Sequence, residues 1–97
     1  MTTDSTATTP DRPLGRSGIS VSALGTGCWA IGGPWTMGGR EAGWGPVDDD
    51  ESIRALHASM AGGVTFFDTA ANYGAGHSET VLGRAVAGRR SEVVLAT

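Results

Sequence analysis

Val64, Thr65, Phe66 and Phe67 run together and stop abruptly at Asp68, and this block sets the rhythm of the second half of the chain. An uninterrupted run of this kind, ended by a carboxylate, predicts a buried parallel strand whose last residue emerges at the carboxyl edge of a sheet. Upstream, Ile53, Leu56, Met60 and Ala61 recur at helical spacing, predicting a helix of about three turns with one apolar face. Its start is Asp48-Asp49-Asp50-Glu51, whose carboxylates can accept the free N–H groups of a first turn and complement the helix dipole. Gly62-Gly63 supplies its left-handed stop. Downstream, Val81, Leu82, Ala85 and Val86 mark the inward face of a second helix, opened by Ser78 and Glu79 and ended by Gly88. Val93 to Thr97 is one more buried strand.

The first half is less regular. Met1 to Asp11 is Thr, Ser and Asp with almost nothing to bury, and predicts a disordered tail. Leu14-Gly15-Arg16-Ser17-Gly18-Ile19 predicts a tight turn between two brief strands, a β-hairpin. Val21 to Gly27 predicts a further strand, and Cys28 to Val47 a long loop rich in Gly, Pro and Trp, the kind that usually carries a binding role. The order is hairpin, β, loop, α, β, α, β. That alternation places the chain in the α/β class, with a parallel sheet and helices on its outside. An open doubly wound sheet would call for a Gly-rich phosphate loop between strand and helix, and no G-x-G-x-x-G opens either helix. The first part of a (β/α)₈ barrel, which needs about 250 residues in all, fits better.

Charge and composition narrow the function classes. A length of 97 residues allows one small domain, with a net charge of −3, a pI near 5.1 and no Lys beside seven scattered Arg. No basic stripe exists for a nucleic-acid backbone. No run reaches the length of a membrane span, and Met1 to Pro10 lacks the features of a leader, so a cytoplasmic protein is expected. Cys28 has no partner for an internal disulfide, and one Cys with His57 and His77 has no metal-ligand spacing, so no metal is expected. The best chemical clue is a pair. Asp68 ends a strand at the edge where α/β proteins place their chemistry, and Tyr73 follows in a Gly-containing loop that can fold its hydroxyl back beside that carboxylate. A tyrosine so placed can donate a proton.

The ordered segments Leu24-Gly25-Thr26-Gly27-Cys28-Trp29, Gly62 to Ala70, Tyr73-Gly74 and Gly76-His77-Ser78-Glu79-Thr80-Val81-Leu82-Gly83 resemble the amino-terminal third of the aldo-keto reductases, over roughly Arg12 to Thr97. The Gly-His-Ser-Glu form and the Trp-rich loop are closer to the bacterial branches. The resemblance implies a TIM barrel plugged at its amino-terminal end by a hairpin, here Leu14 to Val21. It also implies hydride transfer between NADPH and an aldehyde or ketone, catalysed by an Asp, Tyr, Lys and His group. Asp68 matches the aspartate, and Tyr73 the general acid. A free phenol titrates near 10, and the family lysine is the cation that helps it give up its proton. That lysine would follow Ala96-Thr97, and the histidine would lie later. Gly27, Cys28 and Trp29, with Asp68, correspond to the nicotinamide-ribose contacts, where Cys28 departs from the usual Thr. The chain is therefore expected to be a truncated reductase, inactive alone and with an open strand edge at Val93 to Thr97. A non-catalytic, partner-binding or regulatory reductase-like domain is the alternative.

Other residues carry plainer readings. Cys28 reads as a small buried side chain, His57 as a packing or surface residue, His77 as a turn or capping residue, and Arg89-Arg90 as a solvated turn. Trp29, Trp35 and Trp44 can line a substrate pocket or simply pack the long loop, with Trp29 the best pocket candidate.

Overall fold

The fold is a computed structural model that describes residues 9–97; the predicted tail, up to residue 8, lies outside them. Asp11, which composition assigns to that tail, belongs to β1 (Asp11–Pro13), which pairs antiparallel with β2 (Ser20–Ser22). Gly15 and Gly18 take positive φ in the turn, and Leu14 N–H closes it on the Ile19 carbonyl at 2.8 Å. The expected hairpin is there. Val21 and Ser22 belong to it, however, and not to the following strand. Ser22 Oγ donates to the Leu24 carbonyl at 2.6 Å, and this local bond bends the chain between β2 and β3 (Gly25–Gly27).

Beyond β3 the predicted loop holds regular structure that composition hid. A 3₁₀ turn covers Ala30–Gly32, and β4 (Thr36–Met37) pairs with β5 (Arg40–Glu41) as a small hairpin. Gly38 and Gly39, with φ of 60° and 81°, occupy the two central turn positions, where positive φ matches the strand twist.

Helix α1 (Asp49–Ala61) starts where the acidic run predicts, with Asp48 Oδ1 accepting from Asp50 N–H at 3.0 Å. Leu56 is buried and Ile53 and Met60 pack against the core, but Ala61 is exposed and Ser52 takes the buried position one turn before Leu56. The left-handed stop falls on Gly63 alone (φ 97°). Strand β6 (Phe66–Asp68) follows, then helix α2 (His77–Val86), whose Val81, Leu82, Ala85 and Val86 are all buried as predicted, and finally β7 (Val94–Ala96). His57 Nε2 meets the Ala85 carbonyl at 2.8 Å, tying α1 to α2; since a carbonyl only accepts, that nitrogen carries the proton. In the turn after α2, Arg90 is exposed as expected and its Nη1 donates to the Val93 carbonyl at 3.0 Å, while Arg89 is half-buried and reaches the Met60 sulfur.

The central sheet is parallel in the order β3-β6-β7. Side chains alternate across it. Phe67 faces the helices and is fully buried with Leu56, Leu82 and Val81, whereas Phe66 points to the other face and is only half-buried. The strands are therefore not buried on both faces as their continuous apolar pattern suggests, since one helical layer covers one face. The hairpin attaches at the opposite end from Asp68. Ser22 N–H donates to Thr65 Oγ1, and Thr65 N–H to Ser22 Oγ, both at 2.9 Å. These residues build an open three-stranded sheet with the hairpin bonded at its amino-terminal end, and they do not themselves show the expected eightfold closure.

Candidate active site

The three parallel strands end on one line. Gly27, Asp68 and Ala96 are direct partners in the sheet, so the chain leaves the carboxyl edge at three adjacent points. The ladder continues one residue further, with Cys28 N–H donating to the Asp68 carbonyl and Thr69 N–H to the Ala96 carbonyl, each at 2.8 Å. Beneath this edge lies a buried polar knot. Ser78, at the start of α2, donates its hydroxyl to the Cys28 carbonyl at 2.7 Å and lies 2.7 Å from Thr69 Oγ1. With the Ser78 proton committed to the carbonyl, Thr69 must be the donor between the hydroxyls. One side chain thus pins the ends of β3 and β6 to the amino end of α2. Sequence reading treats Ser78 only as a helix opener; its spacing from the Asp68-Thr69 strand end is the signal it passes over.

Tyr73 is positioned by glycine. The turn Tyr73–Gly76 contains Gly74 at φ 61°, pressed against Gly32: a Cβ on Gly74 would collide with the Gly32 carbonyl oxygen. Only two residues without side chains can let these segments approach so closely. The approach lays the Tyr73 ring against Trp29, with centroids 5.8 Å apart and planes within 12° of parallel. Trp29 is held from elsewhere, its Nε1 donating to the Ala42 carbonyl at 2.9 Å and its ring meeting Trp44 at 83°. Trp29, Trp35 and Trp44 line one cleft of about 580 Å³ with Glu41. The tryptophans pack the loop against itself and line this cleft.

The predicted residues do not all meet. Asp68 is exposed at the strand end, and no side-chain hydrogen bond links it to Tyr73 among the described residues; the observed partner of Tyr73 is Trp29. Gly27 is exposed, with open space where a Cβ would stand. Cys28 is fully buried, its thiol directed at the Thr26 carbonyl (3.8 Å) and its backbone N–H and carbonyl both engaged. Burial, with the Asp68 charge nearby as a second cause, pushes that thiol up to about 11. It is inert, in line with the structural reading. His77 is not a bare cap, since its Nε2 meets Asp49 Oδ1 at 2.8 Å and joins the first turns of α1 and α2. Among the described residues no group of His, Cys, Asp and Glu is arranged to hold a metal, and no helix is long and apolar enough to cross a membrane.

Comparison with known proteins gives a consistent picture. The profile described as the aldo/keto reductase family matches residues 23–97. An aldo-keto reductase of Bacillus subtilis, YhdN, is 43% identical over 83 residues, covering 84% of this chain and 23% of its own length. An oxidoreductase of Mycobacterium tuberculosis without assigned function, Rv2298, is 44% identical over 78 residues, covering 79% and 22%. Among solved structures, the holo form of aldo-keto reductase AKR11C1 from Bacillus halodurans superposes with a TM-score of 0.72 at 29% identity, covering 90% of this chain and 24% of that one. A putative aldo-keto reductase from Pseudomonas aeruginosa gives 0.70 at 31%, covering 97% and 34%. The chain spans less than a quarter of the length of the two sequence relatives.

Proposed function

Because this chain belongs to the aldo/keto reductase family of oxidoreductases, we propose that it forms the first part of the active face of a cytoplasmic, NADPH-dependent reductase of small aldehydes or ketones. The observation that carries the reading is the alignment of Gly27, Asp68 and Ala96 at one carboxyl edge, with Trp29 and Tyr73 stacked on the two loops that leave it.

Fit to the cofactor differs by residue. Gly27, with free space beside its Cα, together with exposed Asp68 and Trp29, suits a ribose and nicotinamide laid across the strand ends. Cys28 offers nothing to a ligand, since its side chain is enclosed and its amide is spent on Asp68; its part is to hold β3 in register. When bound, NADPH supplies the hydride that the carbonyl carbon accepts. Tyr73 supplies the other half of the reduction: its Oη proton passes to the carbonyl oxygen, leaving an alcohol and a phenolate that is reprotonated from solvent. Trp29 stacks on the Tyr73 ring and restrains its orientation. Asp68 provides negative charge at the edge, where the family lysine is expected to pair with it. Since the chain has no Lys, turnover requires groups beyond these 97 residues, and the isolated chain is expected to be inactive.

A chimaera tests this. Residues 12–97 replace the matching segment of the Bacillus subtilis reductase, and NADPH oxidation is followed with a reactive aldehyde. Turnover above a buffer blank, together with none from the isolated chain, is the expected pair of results; a folded chimaera that binds NADPH but reduces nothing contradicts the proposal.

A further inference from the structure

The cleft between the 3₁₀ turn and the β4–β5 hairpin shares Trp29 with the reductase reading, which leaves the rest of its walls unused. Three of its lining side chains are indoles, Trp29, Trp35 and Trp44, and the one charged residue among its walls is Glu41. Glu41 is exposed and enters none of the ion pairs formed by the described residues. Trp44 is 70% exposed and Trp29 44%, so the rings present open surface and are not filled by other side chains.

From this we infer that the cleft binds a compact organic ammonium ion. Two physical arguments favour that class over other ligands. Aromatic faces carry negative potential and attract cations, and an unpaired carboxylate in the same wall adds to the attraction while repelling anions. Shape decides the rest: Trp29 and Trp44 stand at 83° with centroids 5.8 Å apart. A flat aromatic ligand can lie on only one ring of such a corner. A roughly spherical head such as a quaternary ammonium touches both rings at once. Trp29 also stacks on Tyr73, so occupancy of the corner lies one ring away from the proposed proton donor. Binding of the cation stands independently of hydride transfer, because every group in the corner belongs to this chain.

The test uses the 97-residue chain and choline as the probe, with 3,3-dimethylbutan-1-ol as the uncharged isostere, followed by tryptophan fluorescence. Choline is expected to give a saturable change with a midpoint in the millimolar range, and the isostere to bind about tenfold more weakly. Glu41→Gln and Trp44→Ala, both at exposed loop positions, are each expected to weaken choline binding by about three- to tenfold with an unchanged far-UV spectrum. Equal response to choline and its isostere, or no saturation up to roughly 100 mM, overturns the inference. So does unchanged choline binding in both variants. Because the readout is binding, a failed reductase assay leaves this result untouched, and the reverse holds as well.

Discussion

The Tyr73 ring lies against Trp29 nearly parallel to it, 5.8 Å between centroids, and the same indole is anchored through Nε1 to the Ala42 carbonyl. The loop after β3 therefore holds the loop after β6, across two elements distant in sequence. Tyr73 is the sole tyrosine in the chain, which makes the relation directly observable. In Trp29→Ala the aromatic proton resonances of Tyr73 are expected to move downfield, as the ring-current shift of the indole is lost. Unchanged Tyr73 resonances in a folded variant contradict the stacking.

The approach of Gly74 to Gly32 gives a stability prediction with an internal control. Gly74→Ala places a methyl in a positive-φ residue and against a backbone oxygen, whereas Gly15→Ala meets the same φ problem (58°) in open space. Gly74→Ala is expected to cost about 2 to 4 kcal/mol and Gly15→Ala about 1 kcal/mol, read from denaturant unfolding. Equal costs mean that the two loops are not in contact.

Cys28 supplies a pH dependence. Its thiol titrates near 9.0 when unfolded and about 11 when folded. The folded protein therefore keeps a proton that the unfolded chain gives up, and stability falls as pH rises from about 9 to 11. The loss amounts to roughly 2 to 3 kcal/mol and is absent from Cys28→Ala. A pH profile identical in the two proteins contradicts the burial of the thiol.

Much of this arrangement is written in the sequence, at the scale where local pattern and physics agree. The Val64 to Asp68 run, the acidic start of α1 and the apolar face of α2 give β6 and both helices to within a residue or two, whereas β3 starts later than its apolar run suggests. What escaped sequence reading depends on contacts between segments. The small β4–β5 hairpin rests on two glycines inside a stretch that composition marks as loop. The Ser78–Thr69 knot joins residues nine apart to a carbonyl fifty residues away. Ala61 turned outward because helix phase is set by packing against α2 and the sheet, while a periodic count is blind by one position. At the site, spacing placed Asp68 and Tyr73 on the same edge but could not reveal that the stacking partner of Tyr73 is Trp29, since that contact is created by Gly32 and Gly74.

Tyr73→Phe in the chimaeric reductase is the most direct test of the account. The substitution removes the donor hydroxyl and keeps the ring, its stack on Trp29 and the surrounding loop. Carbonyl reduction is expected to fall by about two orders of magnitude or more, with NADPH affinity, measured separately by cofactor fluorescence, unchanged. Reduction by the Phe variant at the parent rate contradicts the assignment of Tyr73 as the proton donor.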